Sequence, residues 1–180
     1  MPRLIAFLRA INVGGHVVKM DALRKQFEAL GLTDVETFIA SGNVLFTSRT
    51  ANLAAIEKKI ETRLEKALGY EVRTFVRTEA EVCAIARYKP FPAGAIAGAG
   101  ALCVGFLADP LGPAAVKTLL ALKTEIDDFH VQGKEVYWLC TKRQHESTFS
   151  NVRFEKQVKA SVTFRGVNTV ARLAARCAQE

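Results

Sequence analysis

The order of structural signals along this chain is read twice: strand, helix, strand, strand, helix, strand over residues 1–77, and the same order again over 101–180. In the first pass Leu4 to Ile11 is an apolar run of strand formers, and the polar, glycine-containing Asn12 to Lys19 is a loop. Leu23, Phe27 and Leu30 recur at helical spacing in a helix from Asp21 to Leu30 that Gly31 stops. Val35 to Ala40 and Val44 to Thr47 are separated only by Ser41, Gly42 and Asn43, which demands an antiparallel hairpin. Asn52 caps a helix whose Leu53, Ile56, Ile60, Leu64 and Leu68 form one stripe, closed by Gly69, and Tyr70 to Arg77 is a fourth strand.

Residues 78–100 separate the two passes. Thr78 and Glu81 have capping-box spacing for a short helix to Arg87, and the proline and glycine content of Tyr88 to Gly100 predicts a linker, looped and mobile from Pro92 onward. The second pass begins with a strand over Ala101 to Leu107 and a helix to Lys123, capped by Asp109 and opened by Pro110. Strands Ile126 to Val131 and Glu135 to Cys140 join at Gln132-Gly133-Lys134; a helix over Ser147 to Val158 and a strand over Ser161 to Arg165 complete it. The expectation is an α+β fold of two tandem ferredoxin-like (βαββαβ) repeats packed into one compact unit, with an extra C-terminal helix over Asn168 to Ala178. In such a repeat strands one and three are central. Leu4 to Leu8 and Ala101 to Leu107 are apolar on both faces, so the second face needs a cover, either the other repeat or a second copy in a homodimer.

Composition narrows the class without naming a reaction. A 49% hydrophobic content is ample for a core, and no apolar run approaches the roughly 20 residues of a membrane span, so a cytoplasmic protein that neither crosses nor binds a membrane is expected. Cys83, Cys103, Cys140 and Cys177 lie in apolar segments without metal or redox spacing and read as buried free thiols. His16, His130 and His145 form no ligand pair, so neither a metal nor a cofactor is expected. The net charge of +7 favours anionic partners, although it forms no basic block in the sequence.

In the expected topology strands one and two run the same way, so the loops leaving them share one pole of the sheet. That pole gathers Arg9, Asn12, Gly14, Gly15 and Lys19 with Ser41 and Asn43, and His16 and Gly42 lie among them. Glycine-freed amides, a helix amino terminus and a guanidinium are what a small anionic ligand, phosphate-bearing among others, requires. The same residues also make an ordinary strand-to-helix turn and an ordinary hairpin. Ser41 has no base marked in sequence, and Asp127-Asp128 point to opposite faces, so no catalytic group is nominated and an enzymatic role stays open. Nucleic acid is the alternative partner, through Arg3, Arg9, Arg73 and Arg77, with Phe7 and Phe46 on the strands that present stacking aromatics in RNA-binding repeats; core packing of these rings is the preferred reading. A structural or interaction role without catalysis is the third.

The chain resembles the bacterial family designated domain of unknown function (DUF) 1697. The likeness rests on Leu8-Arg9, Ile11-Asn12-Val13-Gly14-Gly15, Met20, Leu23, Gly31, Val35, Thr37 and Ser41-Gly42-Asn43-Val44 with Phe46. Lys89-Pro90-Phe91, Ser150-Asn151 with Glu155-Lys156, and Arg165 with Asn168-Thr169-Val170 resemble its downstream motifs. Ala10 stands where the family usually has glycine, and Gly166-Val167 where it commonly has Asn-Trp. The resemblance implies an α+β fold without an established activity, and adds Arg165, Asn168 and Thr169 as secondary site candidates.

Overall fold

The computed structural model describes residues 1–12, 15–40 and 42–178. It divides into two compact units, Met1–Ala84 with the chain from Leu173 on, and Ile85–Arg172. Each holds a four-stranded antiparallel sheet, and the described residues form seven α-helices in all.

In the first unit β1 (Arg3–Leu8), α1 (Met20–Glu28), β2 (Thr33–Phe38), β3 (Asn43–Thr47), α2 (Leu53–Leu68) and β4 (Thr74–Thr78) give the sheet order β2-β3-β1-β4. Strands β1 and β3 are therefore central, as expected. Alternation sends Leu4, Ala6 and Leu8 of β1 and Val44 and Phe46 of β3 onto Leu23 and Phe27 of α1 and Ile56, Ile60 and Leu64 of α2. Phe27 meets Phe46 edge to face at 5.6 Å. Ile5 and Phe7, on the other face, are equally buried. Strand β1 stops at Leu8, short of the expected Ile11, because Ala10 takes a left-handed backbone (φ 55°) that no strand can continue through. Helix α2 has the expected ends: Asn52 accepts from the Ala55 N–H at 3.1 Å, and Gly69 closes it at φ 82°.

Helix α3 (Glu79–Arg87) opens on the expected capping box, with Glu81 N–H donating to Thr78 Oγ1 at 3.2 Å and Thr78 N–H to Glu81 Oε2 at 2.7 Å. The stretch expected to be looped instead holds a short helix, α4 (Ala93–Ala97). Pro92 presets its entry and the alanines carry high helix propensity, which outweighs the glycines.

In the second unit β5 (Ala101–Phe106), α5 (Pro113–Leu120), β6 (Asp127–Gln132), β7 (Glu135–Cys140), α6 (Asn151–Val158) and β8 (Thr163–Gly166) give the order β6-β7-β5-β8, and α7 (Val167–Cys177) follows β8 directly. Helix α5 starts at Pro113, not at Pro110 after an Asp109 cap, because a residue before proline is held extended and Gly112 accordingly sits at ψ 165°. Helix α6 starts at Asn151, capped by Ser150, and not at the expected Ser147. Ser147 is engaged elsewhere: its hydroxyl donates to Asp127 Oδ1 at 2.7 Å, beside the Trp138 indole N–H at 2.8 Å. Phe149 centres an aromatic core with Phe129 and Trp138 at 4.7 and 4.8 Å.

Candidate functional site

The β1–α1 loop and the β2–β3 hairpin lie side by side, held by main-chain and side-chain bonds that follow from antiparallel pairing. Leu8 N–H donates to Gly42 O at 2.8 Å, extending the β1–β3 ladder into the hairpin. Asn12 bridges the two segments: its Nδ2 donates to Ala40 O at 2.8 Å, and its Oδ1 accepts the Val18 N–H at 2.8 Å. On the other flank Arg9 N–H donates to Arg73 O at 2.9 Å. Tyr70, which precedes β4, donates its hydroxyl to Ile11 O at 3.4 Å and stacks on His16 with centroids 3.9 Å apart.

This clamp defines what each candidate side chain does. Arg9 is half-buried, while Gly15, His16 and Lys19 are exposed. Lys19 is the exposed N-cap of α1, whose first turn has no side-chain cap and carries one acid, Asp21. Asn43 is fully buried and donates to Phe38 O at 3.0 Å, so its side chain shapes the hairpin from inside. Asn12 likewise serves the main chain. Gly14 and Ser41 lie outside the described residues. Positive φ angles concentrate here: Ala10 at 55°, Gly15 at 85°, Ile39 at 51° and Gly42 at 82°. For β-branched Ile39 this conformation is strained by roughly 1–3 kcal/mol, the kind of cost that clusters at ligand-binding loops. Tyr70 and Arg73 are the pole residues that sequence reading missed. Nothing local marks them, since the β1–β4 register alone brings them in.

Arg165 lies on β8 opposite Val104, 8% exposed, with Nη1 donating to Thr163 Oγ1 at 2.8 Å and Phe164 O at 3.0 Å. Burial pushes its guanidinium down to about 10. Asn168 is exposed and Thr169 half-buried in the first turn of α7, next to Arg165 in the chain but in the second unit, whereas the pole belongs to the first. The Ser150-Asn151 and Glu155 motif is capping chemistry, with Asn151 Nδ2 donating to Glu155 Oε1 at 3.0 Å one turn on. Beside Lys89-Pro90-Phe91, Tyr88 Oη lies 2.7 Å from His130 Nε2 and 3.3 Å from Gln132 Oε1. Both bonds form together when His130 donates from Nε2 to the Tyr88 oxygen and the Tyr88 hydroxyl donates to Gln132 Oε1.

Three of the four arginines considered for nucleic acid, Arg3, Arg73 and Arg77, are engaged within the first unit. Arg3 pairs with Glu36 at 3.6 Å and Arg73 with Glu61 at 3.3 Å, while Arg77 is fully buried and donates to Val76 O at 3.0 Å. Phe7 and Phe46 are fully buried core rings, closed to base stacking. Three of the four thiols are buried, and burial pushes Cys103 up to about 11 and raises Cys140 and Cys177. Among the described residues no group of three or more His, Cys, Asp or Glu could hold a metal ion, and no helix is long and apolar enough to cross a membrane.

Comparison with known proteins adds a family and a fold. The sequence model described as "Protein of unknown function (DUF1697)" matches residues 1–137. The structure of SP0830, a conserved bacterial protein from Streptococcus pneumoniae, superposes with a TM-score of 0.73 at 23% identity, covering 98% of each chain. No curated protein matches the sequence.

Proposed function

The chain belongs to the DUF1697 family, and from that premise we propose that it binds a small anionic ligand at the pole between the β1–α1 loop and the β2–β3 hairpin. The observation that carries this reading is the Asn12 bridge, which fixes the two loops against one another next to a helix α1 that has no side-chain cap. In this reading Arg9, Lys19 and the main chain at Gly15 meet the ligand, and Asn12 and Asn43 position the loops. Each half is taken as one ferredoxin-like repeat, supported by the matching orders β2-β3-β1-β4 and β6-β7-β5-β8 and by buried arginines at corresponding strands, Arg77 opposite Ile5 and Arg165 opposite Val104. That topology sends the ends of β1 and β2 to one pole.

A thermal-shift series with inorganic phosphate and phosphorylated metabolites tests the site. A ligand at 100 times its Kd stabilises by about 2.7 kcal/mol, a rise of roughly 5–10 °C for a chain of this size. Arg9→Lys keeps the charge but loses the paired-donor geometry, so it should cut that rise by half or more and leave the unliganded melting point within about 1 °C. Lys19→Gln should act in the same direction. If the panel gives no saturable shift, or both variants keep the full shift, the pole is a structural turn only.

A further inference from the structure

We infer that the exposed flank of α2 is a second, separate anion site that takes the phosphodiester backbone of a nucleic acid. At about 100° per residue, Lys58, Lys59, Arg63 and Lys66 fall within about 140° of the helix circumference, and Glu57, Glu61 and Glu65 within about 80° on the other side of the buried stripe. Two of the three acids are drawn away by β4: Glu57 Oε1 accepts the Val76 N–H at 2.8 Å, and Glu61 holds the Thr74 N–H at 3.0 Å and Arg73, while Glu65 is exposed and forms no ion pair among the described residues. None of the four cations, nor Arg49 beside them, forms an ion pair among the described residues. Arg63 is anchored instead, Nε to Gln26 Oε1 at 2.7 Å, which fixes one edge of the patch against α1.

The hydrocarbon stems of Lys58, Lys59, Arg63 and Lys66 wall an open, mainly apolar cavity of about 320 Å³, which adjoins a more polar one of about 500 Å³ lined by Arg49 and Lys59; the two share Leu30 and Lys59. Lys58 and Lys66 are about 12 Å apart along the helix axis, too far for one small phosphate and suited to a chain of them. No aromatic side chain lines either cavity, so bases have no platform and binding should ignore sequence.

Fluorescence anisotropy with a labelled mixed-sequence 20-base-pair DNA, titrated with the full chain from 20 to 200 mM NaCl, tests this. The expected log–log salt slope is roughly −4 to −5 for five neutralised phosphates. Lys58→Gln/Lys59→Gln/Lys66→Gln should weaken binding at least about tenfold and reduce the slope by roughly 2–3. A charge-matched control on the other unit, Lys89→Gln/Lys142→Gln/Lys156→Gln, should change both far less. The α2 site is overturned if the two triple variants lose equally, if the α2 variant binds as wild type, or if the DNA does not bind at 20 mM salt. Displacement of the DNA by poly-glutamate as readily as by unlabelled DNA of equal charge would overturn the assignment to nucleic acid in favour of an acidic protein.

Discussion

Ala10 and Gly42 both have left-handed backbones, yet they call for opposite substitutions. Ala10 is exposed at φ 55°, where a Cβ is unfavourable, so Ala10→Gly should stabilise the chain by roughly 0.5–1 kcal/mol in urea unfolding. Gly42 is buried at φ 82°, and a Cβ there would lie 2.6 Å from Ile11 Cγ2 and 3.1 Å from Leu8 Cβ, so Gly42→Ala should cost roughly 1–3 kcal/mol in the same assay. Equal effects at the two positions would mean that the hairpin and loop do not meet as described. Cys103 makes a pH prediction. Its thiol stays neutral in the fold to about 11 against an ordinary 9.0, so its contribution is complete below pH 9 and is lost as pH rises toward 11. Between pH 9 and 10 the unfolding free energy should fall, and Cys103→Ala should remove roughly 1 kcal/mol of that fall; Tyr137, raised by burial and by Glu135 and Tyr88, adds its own loss only above pH 10. An unchanged pH slope in the variant would place this thiol in water.

Among the elements, β4 shows how an edge strand is kept from pairing outward. Its inner side bonds β1, and the alternate N–H groups of Thr74, Val76 and Thr78 donate to Glu61, Glu57 and Glu81. Carboxylates thus occupy the donors that another strand would seek. Glu57→Ala should cost roughly 1–3 kcal/mol and increase self-association in analytical ultracentrifugation; a variant as stable and as monodisperse as wild type would show that Val76 finds another acceptor. In the sequence, Glu71, Arg73 and Arg77 interrupt the apolar pattern of Tyr70 to Arg77, the polarity of an edge strand, although Arg77 itself is buried. The sequence also marked α2 and the α3 capping box, because caps and stripes are local. It misplaced the starts of α5 and α6: Pro113 holds Gly112 extended, a local signal passed over in favour of Pro110, whereas only the tertiary bond of Ser147 to Asp127 left Ser150 as the cap of α6. The charge segregation around α2 could have been found from its helical spacing alone. Its consequence could not, because the partners that draw Glu57 and Glu61 away lie on β4.

At the scale of the molecule, the first unit takes its last piece from the far end of the chain. Leu173 is fully buried, Cys177 nearly so, and Arg176 pairs with Glu36 of β2. Ending the chain after Arg172 should therefore cost roughly 3 kcal/mol or more and lower the melting point by about 6–12 °C in calorimetry, and Leu173→Ala should lose much of the same amount. A melting point unmoved by either change would exclude that segment from the first unit. The order of elements, the hairpins and the central places of β1 and β3 were determined by the sequence itself, because periodicity, caps and short connections act over a few residues. Which polar groups remain open to a ligand was decided only by tertiary structure. Asn43, a candidate ligand residue, and Arg77, a candidate nucleic-acid contact, are both buried, Asn12 became a bridge, and the cations of α2 form no ion pair among the described residues while Arg3 and Arg73 do. The reason is that a hydrogen bond or ion pair depends on distances of about 3–4 Å between atoms whose residues lie tens of positions apart, and strand register alone sets those distances.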